Sequence, residues 1–140
     1  MRRLILIAAL ALSACGKAEE PKSLGPPPDV AMNFNQPLDA RGLNPSWGLT
    51  IRGVQLTLTR EGQPTIVATA PGAVIQPSEA SWTATLPDGQ PMTVKLYASP
   101  CSDDDSDVKY TFAAEVALPG SAPLAGCAGP PATARRGVKG

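Results

Sequence analysis

VQLTLT, residues 54–59, alternates aliphatic and polar side chains without a break. Successive side chains of a strand point to opposite faces, so this spacing puts Val54, Leu56 and Leu58 on one face and Gln55, Thr57 and Thr59 on the other. The pattern returns at Met92, Val94 and Leu96 against Thr93, Lys95 and Tyr97, and again along Tyr110, Phe112, Ala114, Val116 and Leu118. Each run can bury one face and wet the other, as strands of an antiparallel sheet do.

The punctuation between the runs agrees. Ten prolines lie between residues 37 and 123 and fall mostly outside the alternating segments, which disfavours any long helix. Arg52-Gly53 and Asp88-Gly89 supply the glycine that tight hairpins need for positive φ. These signals predict strands near 46–51, 54–60, 64–69, 72–76, 80–86, 91–97, 108–118 and 122–126. One antiparallel sheet of about seven or eight short strands must curl or split. The expected fold is therefore all-β, a small antiparallel barrel or sandwich. Its expected core is Trp47, Leu49, Ile51, Val54, Leu56, Leu58, Ile66, Val74, Trp82, Val94, Leu96, Phe112, Val116 and Leu124. With six aromatic residues in the chain, both tryptophans are needed for packing, which leaves little material for a roomy internal cavity. A partly exposed Trp47 would instead anchor a partner.

The N-terminus carries a different signal. MRRLILIAALALSAC has a basic head, an apolar core from Leu4 to Leu12 and small residues before Cys15. The apolar run is too short to span a bilayer of about 30 Å hydrocarbon thickness and reads as a secretory leader, residues 1–14. Leu12-Ser13-Ala14-Cys15 also fits the bacterial lipoprotein signal, in which Cys15 is lipidated and becomes the mature N-terminus. More than one acyl chain makes a durable membrane anchor, since each buried methylene contributes about 0.8 kcal/mol. Gly16 after the cysteine, in place of aspartate, favours the outer membrane facing the periplasm. Residues 15–29, rich in proline, form a semi-rigid tether. Residues 30–128 form one β domain, and residues 129–140 a flexible basic tail.

Lipidation of Cys15 leaves Cys101 and Cys127 as a pair in an oxidising compartment, so a disulfide is expected between them. Around the first of them, SPCSDDDSDVKY, residues 99–110, holds four aspartates in five positions. Asp103, Asp105 and Asp107 stand at positions one, three and five of a calcium loop. Val108 replaces the turn glycine of such a loop and Ala114 replaces its closing glutamate, so calcium is the weaker alternative and no metal or other cofactor is expected. Asp103 and Asp107 are expected to brace a turn through bonds to backbone amides.

Three segments together resemble a family: Gly42–Ile51 (GLNPSWGLTI), Cys101–Phe112 (CSDDDSDVKYTF) and Gly126–Ala128 (GCA). They are similar to an uncharacterised family of small bacterial envelope proteins, many of them lipoproteins. That family shares Gly-x-Glu-Pro-x-Trp, Cys-Ser-Asp-Gly-Met-Ser-Asp-x-x-Tyr-Pro and Gly-Cys-Ala motifs. Gly42, Pro45, Trp47, Cys101, Ser102, Asp103, Ser106, Asp107, Tyr110, Gly126, Cys127 and Ala128 match, in order and spacing. Asn44, Asp104, Asp105 and Thr111 depart from the pattern. The resemblance implies no biochemical activity. A looser likeness in size, lipidation, disulfide and β content points to periplasmic lysozyme inhibitors.

Function classes narrow accordingly. The chain has no histidine, hence no Ser-His or Cys-His nucleophile, and no glycine-rich phosphate loop, so an enzyme is not expected. From Val30 to Ala128 five basic residues face nine acidic ones, a balance of minus four that does not suit nucleic acid. It would suit a cationic partner such as lysozyme, although the same charge serves solubility. The expectation is a monomeric, lipid-anchored module that binds a protein or a cell-wall component. Trp47, Asp104, Asp105 and Tyr110 are the candidate binding residues, and calcium-dependent binding through Asp103 to Asp107 is an alternative.

Overall fold

A computed structural model describes residues 33–103, 107–131 and 133. Cys15, the leader, the whole tether, Asp104, Asp105 and most of the basic tail lie outside the described residues.

The chain forms β1 (Leu38–Gly42), β2 (Trp47–Arg52), β3 (Gln55–Arg60), β4 (Ile66–Thr69), β5 (Val74–Gln76), β6 (Glu79–Thr85), β7 (Pro91–Tyr97), β8 (Cys101–Ser102), β9 (Lys109–Tyr110), β10 (Phe112–Ala117) and β11 (Leu124–Gly129). Their order is β4-β3-β2-β1-β11-β10-β7-β6-β5, and a further pairing of β4 with β6 closes the sheet. Every pairing is antiparallel. Apart from β5, β8 and β9, strands that follow one another in sequence are neighbours, and the last pairs with the first. The fold is an eight-stranded up-and-down barrel with one extra strand, not a sandwich.

Closure comes from a bend. Thr69 of β4 pairs with Thr85, and Val74 of β5 pairs with Ser81, so β4 and β5 follow one another along the same edge of β6. The break between them, Ala70 to Ala73, includes Pro71 and Gly72, the latter at φ 139°. Proline removes a ladder donor and glycine allows the unusual backbone, which bends the strand from β3 towards β6.

Alternation is the reason the barrel has a dry inside. Leu38, Leu49, Leu56, Leu58, Met92, Leu96, Phe112 and Val116 point inward and are almost fully buried, each contributing about 1.5–3 kcal/mol by leaving water. An eight-stranded barrel is just narrow enough to be filled by side chains, and this one is. Trp47 packs at one end, 4 % exposed, while Phe34 and Trp82 pack at the other. The Phe34 and Phe112 rings lie 4.8 Å apart, centre to centre.

Four departures from the expected pattern have local causes. Val54 is 51 % exposed, because Arg52 pairs with Gln55 and leaves Gly53-Val54 as a two-residue hairpin tip. Val74 is 63 % exposed on the short extra strand. β1 was not expected: small Ala40 and Gly42 follow Leu38 on its inward face, so its apolar signal is thin. The single strand expected over 108–118 is two, interrupted at Thr111, with β9 in a separate small sheet with β8. Ile66 and Leu124, also expected in the core, are only partly buried against it.

Candidate functional site

The alternation along β1 and β11 turns Arg41 and Cys127 outward, directly opposite one another. Cys127 is bonded to Cys101, with 5.5 Å between their Cα atoms. That bond pins β8 and β9 as a flap on the outer wall, where Tyr110, Cys127, Cys101 and Val108 make a second apolar cluster apart from the barrel core. Tyr110, 2 % exposed, therefore faces the outer wall, whereas Phe112, two residues on, faces the interior.

Asp103 ties the flap down. The Tyr110 hydroxyl donates to Asp103 Oδ2 over 3.1 Å, and Arg41 Nε lies 3.7 Å from the same oxygen. The Asp103 side chain is only 8 % exposed. Burial pushes the Tyr110 phenol above its usual range; its hydrogen bond to Asp103 and that residue's charge add to the shift, and Arg41 opposes it. Lys109 Nζ also donates to Ser102 Oγ, at 2.8 Å, across the small sheet.

Beside the flap the outer wall is notched. Arg41, Gly48 and Thr59 stand opposite one another on β1, β2 and β3. Gly48 carries no side chain, so the wall is open between Arg41 and Thr59, about 10 Å apart at two strand spacings. The notch belongs to an open cleft of about 640 Å³ lined by Arg41, Ser46, Trp47, Thr59, Arg60 and Glu61, with Gly42 and Gly48. A smaller cleft of about 330 Å³ adjoins it between the Leu43-Asn44 turn and Cys101 to Asp103, sharing Arg41 and Gly42.

The end of the cleft is built around Trp47. Its indole Nε1 donates to the Ala125 carbonyl over 3.2 Å. A Cβ on Gly42 would run into that indole, and a Cβ on Gly126 would run into the Arg41 carbonyl. Two glycines thus let the strands close around the ring.

The structure brings Cys101, Asp103, Tyr110 and Cys127 into one cluster and sets Trp47 at the edge of the neighbouring cleft. Asp107 is exposed. Asp103 meets the Tyr110 hydroxyl and the Arg41 side chain. Among the described residues no group of three potential metal ligands converges. Arg41, Gly48 and Arg60 were missed by sequence reasoning. The alternation Leu38-Asp39-Ala40-Arg41-Gly42 could have exposed β1, and with it the outward Arg41.

Comparison with models of known protein families, with curated proteins and with solved structures gives no match.

Proposed function

We propose that this is a lipid-anchored bacterial envelope protein whose barrel binds a protein or cell-wall component without chemistry of its own. The observation that carries the reading is the position of the open space. Core side chains occupy the barrel interior, while an open cleft of ligand size lies at the outer wall around Arg41, Gly48 and Thr59. A filled barrel serves as a rigid frame, and its outer wall is where a partner can be met. The leader ending in Leu12-Ser13-Ala14-Cys15 supports the envelope location and the anchor.

The test is a pair of photo-crosslinking residues in the native envelope, one replacing Thr59 at the cleft and one replacing exposed Thr83 on β6. A discrete adduct from position 59 and none from 83 is expected. Identical adducts from both, or none from either, would overturn the assignment of the cleft. Labelled fatty acid should enter the wild-type chain and not Cys15→Ala.

A further inference from the structure

Resting on that reading of the cleft, we propose that its ligand carries a carboxylate, held between Arg41 and Arg60. Both arginines line the cleft. Each has one enclosed nitrogen without a hydrogen-bond partner, Arg41 Nη1 and Arg60 Nε, so a ligand in the cleft would be met by the other N–H groups of each guanidinium. A guanidinium is the group best shaped to take a planar carboxylate through two N–H bonds. Among the described residues the ion pair of Arg41 is with Asp103, through Nε at 3.7 Å. Arg60 forms no ion pair among the described residues.

The rest of the cleft selects the kind of anion. Gly48 leaves its floor bare, and the Thr59 hydroxyl at its side donates to the Gly48 carbonyl over 3.2 Å. Trp47, only 4 % exposed, and Gly42 border the cleft next to the arginines. Glu61 on the same rim and Asp103 behind Arg41 bring negative charge, which repels a dianionic phosphate more than a singly charged carboxylate. A short peptide chain ending in a free carboxylate fits this combination of two arginines and bare backbone.

The test uses the full chain in detergent, with N-acetyl-alanyl-alanine, its C-terminal amide and inorganic phosphate as probes. Calorimetry reads affinity, and amide chemical shifts read location. The acid should bind and move the Gly48, Thr59 and Arg60 amides, with the amide and phosphate at least about tenfold weaker. Arg41→Gln and Arg60→Gln should each weaken the acid by about tenfold or more. Because Arg41→Gln also disturbs Asp103, Gly48→Val provides a second variant that keeps both arginines. A Cβ at Gly48 meets the Thr59 hydroxyl at 3.2 Å and the Ala40 carbonyl at an ordinary 3.9 Å, and valine suits a strand, so the fold should persist while the notch is filled and binding is lost. Equal binding of acid and amide, tighter binding of phosphate, or unchanged binding by Gly48→Val would overturn the proposal. If the acid fails to bind while a crosslinker at Thr59 still captures a partner, the carboxylate inference falls and the envelope-binding reading stands.

Discussion

One carboxylate, Asp103, joins the flap to the barrel. It accepts the Tyr110 hydroxyl and faces Arg41, so removing the phenol leaves a largely buried charge short of a donor. Tyr110→Phe should therefore lower stability by about 1–3 kcal/mol, measured by denaturant unfolding at neutral pH. The pH dependence has a definite sign. The folded phenol has its pKa raised above the ordinary tyrosine value of 10.0, so the folded state holds this proton more tightly than the unfolded chain. The associated stability is present below about pH 10 and is lost as pH rises through the folded value. Unfolding curves above pH 10 should show a steeper loss in the wild type than in Tyr110→Phe. A parallel decline in both would remove Tyr110 as the cause. Gly126 makes a second residue-scale case. Its missing Cβ is space already taken by the Arg41 backbone, so Gly126→Ala should cost about 1–3 kcal/mol in the same assay.

At the scale of elements, the flap and the barrel are separable. The barrel ladder is continuous without β8 and β9, which touch it chiefly through β11. Cys101 and Cys127 are 26 residues apart, and replacing both by serine should cost about 3–4 kcal/mol. The loss should be local first. Amide exchange in β8 and β9 should accelerate strongly, while β2 and β3 remain protected; uniform acceleration would mean that the bridge holds the barrel itself. The hairpins show how far local signals reach. The glycines of Arg52-Gly53 and Asp88-Gly89 both adopt positive φ, at 60° and 85°, because glycine alone enters that region cheaply. Parity nevertheless misplaces Val54, since a two-residue turn takes it out of the strand whose rhythm it continues. Parity also runs on through Tyr110, although the chain changes sheets at Thr111.

The whole molecule is a closed wall around a filled interior. Within it Phe112 is fully buried and packs against Phe34. Phe112→Ala should cost about 3–5 kcal/mol, read from the denaturation midpoint, because the closed wall has little freedom to collapse onto the space left. A small loss there would mean that the interior adapts as a loosely packed one does.

Much of this architecture follows from the chain alone, since alternation and turn glycines act over a few residues. Leu56, Leu58, Val94 and Leu96 face inward as the alternation requires, and the two late cysteines are paired as their count implies. Closure was decided only in three dimensions. It depends on β4 and β5 sharing one edge of β6 and on β11 returning to β1, pairings between segments far apart in sequence. The cleft was decided there too. Arg41, Gly48 and Arg60 carry no common motif, and what unites them is the antiparallel register of three strands. Local patterning determines which face of a strand is dry, because burial is set residue by residue. Register between distant strands determines which polar groups meet, because it is the packing of the whole barrel that selects it.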